Sequence, residues 1–290
     1  MCSLTGSRIS FSVTITVSTC KSKYNFVVVH KEENRNFAGL FIAMAGFLFG
    51  DVIFGPVRSR RLGLSLGINL LPEHLKYCSF NCIYCECGWT RKITGVTGQL
   101  PSRDEVYRFL DLRLNELVTE DYLPDAITFA GNGEPTLHPD FAAIVDDTIL
   151  LRNKFTPGSK VSVLSNSSTL DNPLIFAALE KMDNNILKLD AGSEHLFRIM
   201  NNPLEPVDFA NLIDNLKRFN GKVIIQSMFI SGYYNDELVD NTTDEETGRW
   251  MDHLGYIRPS KVMIYSIARA TPAQDLKKLL SLSLKKLQRK

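Results

Sequence analysis

Four cysteines fall within ten residues, at positions 78, 82, 85 and 87, and this segment constrains the chain more than any other. Sulfurs so close along one loop suit a shared metal centre rather than disulfides tying distant segments together. The segment reads Lys76-Tyr77-Cys78-Ser79-Phe80-Asn81-Cys82-Ile83-Tyr84-Cys85-Glu86-Cys87-Gly88-Trp89. Iron–sulfur clusters are bound by thiolates, and one short loop can wrap a cluster. Three ligands leave one iron of a four-iron cluster open, as a cofactor needs if it is to bind the metal directly. Zinc is the competing occupant. A zinc ribbon wants a second cysteine or histidine pair at some distance, and elsewhere the chain has only Cys2, Cys20 and no paired histidines at finger spacing. The four clustered cysteines could hold zinc by themselves, through a cramped Cys85-Glu-Cys87 bite.

The rest of the chain supplies the frame. Its 290 residues, 44% hydrophobic and 22% charged, have ordinary globular composition. A net charge of +1 gives no overall field toward nucleic acid or anionic membrane. The local exception is Arg58, Arg60 and Arg61, either a solvated basic turn or a binder of a substrate phosphate or carboxylate. The apolar run at 37–50 is shorter than the about 20 residues a membrane-spanning helix needs, which predicts buried core and no membrane partner. Clustered free cysteines favour a reducing cytoplasm. Residues 1–43, rich in Ser, Thr and Val, are either an upstream extension ahead of a start at Met44 or a β-rich arm.

Beyond residue 60, β-like runs alternate with helical patterns. Strands are expected at 64–71, 126–130, 161–164, 185–189, 222–230 and 261–267. Helices are expected at 103–119 with Ser102 and Glu105 as a capping box, at 140–152, at 173–182 with Asp171 as cap, at 207–220 and at 244–254. An amphipathic helix is expected to close the chain over 273–290. This alternation implies βαβ units and a parallel α/β sheet, either a partly closed barrel or open and doubly wound. In both cases ligands belong at the C-terminal strand ends.

Chemically suggestive residues fall there. The second strand runs into Gly131-Asn132-Gly133-Glu134-Pro135, where glycines allow close backbone approach and Glu134 can receive an ammonium group. Ser165 and Asn166 end the third strand, as ribose or carboxylate contacts or as caps of the next helix. Lys188 and Asp190 end the fourth and share a face, as an internal ion pair or as site residues, Asp190 being the better candidate. Gln226 on the fifth strand faces inward, and Tyr265, Ser266 and Ile267 end the sixth. No histidine is assigned a catalytic role.

The spacing CxxxCxxC with Tyr84 before the third cysteine resembles the signature of the radical S-adenosylmethionine superfamily. That resemblance implies a partial (β/α)6 TIM-like barrel. It implies a [4Fe–4S] cluster on Cys78, Cys82 and Cys85, with the fourth iron chelated by the amino and carboxylate groups of S-adenosylmethionine. Reductive cleavage then yields a 5′-deoxyadenosyl radical that abstracts hydrogen from a substrate. It places Tyr84 near the adenine and leaves Cys87 a loop thiol. The Gly133-Glu134-Pro135 element is similar to the family's GGEP, which binds the methionine amino group, with Asn132 standing between the glycines. Ile267 becomes a main-chain adenine contact. The run 54–72 leading into the cysteines resembles an uncharacterised group related to tRNA wyosine-synthesis enzymes, over residues 47–272. This makes tRNA one candidate substrate and a flavodoxin or ferredoxin the expected reductant. A glycyl-radical activase shares the same motifs, and a non-catalytic zinc-binding interaction module is the alternative outside enzymes.

Overall fold

The computed structural model describes residues 46–59, 61–90 and 100–279, together with the backbone of Phe26–Val28. Among these the strands are β1 (Phe26–Val28), β2 (Ile53–Ser59), β3 (Gly63–Ile68), β4 (Ala126–Phe129), β5 (Lys160–Ser165), β6 (Asn184–Lys188), β7 (Val223–Met228), β8 (Ser231–Tyr234), β9 (Glu237–Asp240), β10 (Lys261–Tyr265) and β11 (Leu276–Lys277). The helices are α1 (Arg103–Thr119), α2 (Phe141–Phe155), α3 (Pro173–Glu180), α4 (Glu194–Asn201), α5 (Phe209–Arg218) and α6 (Asp244–Ile257). One sheet runs β1-β10-β7-β6-β5-β4-β3-β2, parallel except where β2 meets β3. Helices cross between β3, β4, β5, β6, β7 and β10 in turn, so the six expected strands make the expected parallel α/β frame.

Local sequence explains most of these elements. α1 starts at a capping box, with Ser102 Oγ accepting from Glu105 N (3.3 Å) and Glu105 Oε2 accepting from Ser102 N (2.8 Å). Its apolar positions Val106, Leu110, Leu114 and Leu117 are all buried at helical spacing. α3 begins with Pro173 at its first position, which fixes the cap at the residue before it. The cap is therefore Asn172 and not Asp171. Asp171 instead accepts from Asn211 Nδ2 (2.7 Å) and Asn215 Nδ2 (2.8 Å), tying the start of α3 to α5, and these bonds hold its carboxyl below the usual carboxylate range.

Three features depart from the sequence reading. The basic stretch near Arg58 is an edge strand, β2, with Arg58 exposed on it. β8 and β9 form a hairpin whose two turn residues, Asn235 and Asp236, both adopt positive φ (51° and 62°), the geometry short hairpins favour. Residues 273–279 do not start a helix. β11 pairs with β8, and Tyr233 N donates to Asp275 O (3.1 Å), so edge pairing overrides the amphipathic pattern. Residues 280–290, and the alternatives for residues 1–43 apart from the backbone of β1, lie outside the described residues. Among the described residues no helix is long and apolar enough to cross a membrane.

The sheet curls so that the β2–β3 turn reaches the strands on its far side. Leu62, in the β2–β3 turn, packs with Ile186 of β6, Ile224 of β7, Met263 of β10 and Leu164 of β5. These four strand residues share the concave face, so Leu62 plugs the N-terminal end of the lumen they enclose.

Candidate metal centre and cofactor site

At the C-terminal end of β3 the chain turns through Asn69 into the cysteine loop. Asn69 is fully buried; its Oδ1 accepts from Asn132 N (3.1 Å) and Leu71 N (3.3 Å). The loop is then fastened from four remote segments. Tyr77 N donates to Asn132 O (2.8 Å) and Glu134 N to Tyr77 O (3.1 Å). Asn81 N donates to Asn202 O (2.9 Å), and Ile83 N to Met200 O (3.0 Å) at the end of α4. Ala273 N donates to Ile83 O (3.1 Å), and Phe47 N to Glu86 O (2.8 Å).

The sulfurs sit among nitrogen donors. Phe80 N and Asn166 Nδ2 each approach Cys78 Sγ at 3.5 Å, and Asn201 Nδ2 approaches Cys82 Sγ at 3.6 Å. Burial pushes the Cys78 thiol up to about 12 and raises Cys82 as well. A hydrogen bond from Cys87 holds Cys85 low. Lys76 is buried beside them and donates to Gly88 O (3.0 Å). Its burial disfavours the ammonium, but the charges of Cys85, Cys78 and Cys82 outweigh this and raise its pKa. Buried thiols of this kind give up their protons to a metal, and N–H groups aimed at sulfur are a means of tuning thiolate-bound clusters. Asn201 Oδ1 is buried without a partner among the described residues. The donor set thus fits a thiolate-bound centre. Among the described residues no three His, Cys, Asp or Glu side chains form a cage for a single ion. The fit therefore rests on the donors' kind and surroundings.

Two buried polar groups flank the loop. On the Cys78 side, Glu134 Oε1 accepts from Thr136 N (3.1 Å) and Thr136 Oγ1 (2.5 Å), and Oε2 accepts from Asn166 N (2.6 Å). Burial pushes this carboxyl up, against the pull of the bonds from Asn166, Thr136 and Ser165. Asn166 Nδ2 also donates to Ser79 Oγ (2.9 Å), so the ends of β4 and β5 are locked to the cysteine loop. On the Cys82 side, Tyr84 donates its hydroxyl to Asp190 and accepts from Lys188 Nζ (2.9 Å) and Asn201 Nδ2 (3.1 Å). Asp190 further accepts from Asn201 Nδ2 (2.7 Å) and Met228 N (2.7 Å), and lies 3.5 Å from Lys188 Nζ. Burial opposes the Lys188 ammonium, but the Asp190 charge outweighs it and the pKa is raised.

The structure therefore gathers Glu134, Ser165 and Asn166 with Cys78, and Tyr84 and Asp190 with Cys82. Gly133 lies flat against Tyr77, where a Cβ would overlap the Tyr77 carbonyl oxygen. Arg61 donates to Gln226 Oε1 and lies over the Tyr265 ring, 5.5 Å from its centroid, while Arg58 is exposed on β2 and Arg60 lies outside the described residues. Ile267 packs partly buried against the core. His138 is a scaffold residue, its ring nitrogens on Pro101 O (2.8 Å) and Asp140 N (3.1 Å). Asn69, Asn201 and Lys76 escaped the sequence reading. Their one signal was a polar residue interrupting or abutting an apolar or cysteine-bearing stretch.

Asn132, the residue that breaks the double glycine, has a task of its own. Its Oδ1 accepts from Phe49 N (2.8 Å), and its Nδ2 donates to Phe49 O (2.9 Å) and Pro72 O (2.8 Å). The side chain mimics a strand partner and straps residues 46–50 over the mouth, where Phe49 stacks on Phe54 at 3.8 Å. Asn132→Gly is expected to destabilise the protein by about 2 kcal/mol, the cost of the lost buried bonds. The Phe49 amide should lose its protection in hydrogen exchange, and unchanged protection would refute the strap.

Comparison with known proteins agrees with this geometry. The Radical SAM superfamily profile matches residues 73–244, more than half of the chain. A Brachyspira hyodysenteriae protein named GTPase Obg is 30% identical over 227 residues, covering 78% of this chain and 31% of its own length. A UPF0026 protein of Helicobacter pylori is 31% identical over 185 residues, covering 62% of this chain and 57% of its own. The chain thus spans about a third to three-fifths of these two relatives. Among solved structures, TYW1 with a lysine–pyruvate adduct bound superposes with a TM-score of 0.55 at 15% identity, covering 78% of this chain and 72% of that one, a likeness of fold. Sulfur-rich loop, strand-end polar groups and matched profile lead to one conclusion: the chain belongs to the radical SAM superfamily.

Proposed function

We propose that the chain is a radical S-adenosylmethionine enzyme in which Cys78, Cys82 and Cys85 hold a [4Fe–4S] cluster. When bound, the cluster supplies an electron that cleaves S-adenosylmethionine to a 5′-deoxyadenosyl radical able to take hydrogen from a substrate. The observation that carries this reading is the pairing of the cysteine loop, through Tyr77 beside Cys78, with the Gly131–Glu134 turn beyond the C-terminal end of β4. The chain's own residues bind and orient. Gly133 presents its backbone, Glu134 receives the methionine ammonium, Ser165 and Asn166 contact ribose or carboxylate, and Tyr84 lies toward the adenine with Asp190 behind it. Phe49 and Phe54 shield the mouth from water, and a flavodoxin or ferredoxin would serve as reductant.

The test uses protein purified without oxygen and reconstituted with iron and sulfide. About four irons per chain, and 5′-deoxyadenosine formed with dithionite and S-adenosylmethionine, are expected. Both should be lost in Cys82→Ala and retained in Cys87→Ala. Stoichiometric zinc with no cleavage product would overturn the reading.

A further inference from the structure

Above the apolar layer that Leu62 seals, the next inward-facing residues on three adjacent strands are Lys188, Gln226 and Tyr265, each two positions beyond Ile186, Ile224 and Met263. Arg61, beside the plug, reaches up to two of them. A guanidinium only donates, so its contact fixes the Gln226 amide with Oε1 toward Arg61 and Nε2 turned away. Gln226 is 8% exposed, yet Nε2 has no partner among the described residues. Lys188 gives one proton to Tyr84 and faces Asp190, and its third has no acceptor there. Arg61 has no carboxylate partner among the described residues, although Asp190 already answers Lys188. The floor of the lumen thus holds a guanidinium fork, an amide N–H and an ammonium proton with one negative charge missing.

A half-buried guanidinium is costly to leave uncompensated, and forked donors match the geometry of carboxylate and phosphate. Tyr84, which shares Lys188, is the neighbour of Cys85 in the chain, so an anion on this floor lies beneath the cysteine loop. We propose that Arg61, Gln226 and Lys188 form an oxyanion-binding floor that takes the carboxylate or phosphate end of a small substrate and leaves its remainder facing the cysteines. The word substrate rests on the radical SAM reading above; the anion site does not.

The full-length reconstituted protein would be titrated calorimetrically with sodium acetate and with sodium phosphate, against sodium chloride at matched ionic strength. Saturable binding of acetate alone identifies a carboxylate ligand, of phosphate alone a phosphate ligand, and of both the shared oxyanion chemistry. Arg61→Met and Gln226→Leu should each weaken binding about tenfold or more, as loss of a charge-assisted or buried hydrogen bond requires. Lys181→Met, a surface cation paired with Asp146, should not. Arg61→Lys keeps the charge without the fork and should also weaken binding, which serves if the methionine variant does not fold. No response beyond chloride, or equal binding in all variants, overturns the floor. Anion binding without 5′-deoxyadenosine in the wild type upholds the floor and removes the radical chemistry, whereas the converse removes only the floor.

Discussion

Gly133→Ala is expected to separate the cysteine loop from the turn that supports it. Gly133 has φ +143°, a region that side chains rarely adopt, and its would-be Cβ falls on the Tyr77 carbonyl. The chain can relieve that overlap only by parting the bonds Tyr77 N to Asn132 O and Glu134 N to Tyr77 O. Backbone strain and two broken buried bonds together cost about 3 kcal/mol or more. At roughly 2–4 °C per kcal/mol for a chain of this size, the unfolding midpoint should fall by roughly 10 °C. Iron retention after reconstitution should collapse as well, because the loop no longer holds its sulfurs in register. Gly158→Ala is the control, since a Cβ there meets nothing within 4 Å. A Gly133→Ala protein as stable and as iron-loaded as the control would show that the two loops are not interlocked.

Asp190→Asn should be comparably severe for an electrostatic reason. Asp190 is buried, and every neighbour that touches its carboxylate donates: Tyr84 Oη, Asn201 Nδ2, Met228 N and the Lys188 ammonium. The asparagine amide presents two protons where acceptors are required, and it strands the Lys188 charge, whose side chain is only 15% exposed. Breaking one partner of a buried pair costs about 3–5 kcal/mol. Replacing both should cost less than the sum. In the cycle with Lys188→Met, the double variant is expected to regain about 1–3 kcal/mol relative to additivity, measured by denaturant unfolding. Additive losses would mean that the ion pair contributes nothing and that the Met228 and Asn201 bonds carry the whole effect.

What could be read in the sequence was local. The capping box of α1, the cysteine spacing and the period of the helical faces each involve residues within a few positions of one another, and all reappear in the structure. The strand-end rule placed Glu134, Asn166 and Asp190 at one end of the sheet, where they are found. The errors have the same origin in reverse. Over residues 273–279 the amphipathic pattern is overridden by pairing with a hairpin that is itself short and polar. Asp171 is as good an intrinsic cap as Asn172, and only Pro173 and two asparagines on α5 decide between them. Asn69 and Asn201 act through partners remote in the chain, and no periodicity announces such partners. Lys76 acts within its own loop, on Gly88 and the cysteines, and its burial there is set by the fold. Arg61 was singled out for its charge. That it reaches Gln226 follows only from the curl of the sheet, which brings the β2–β3 turn against β7 and β10.

The fastening of the cysteine loop has a temporal consequence. Its ties run back to Phe47 and forward to Asn132, Met200 and finally Ala273, which closes on Ile83 across most of the chain. Contacts of such separation form late in folding, after the entropy of closing long loops has been met. A nascent chain therefore exposes its cysteines on the ribosome long before the last tie can be synthesised. The pocket that shelters them is complete only with the segment that follows β10, so a cluster held there, as proposed above, would be loaded after that segment has been made.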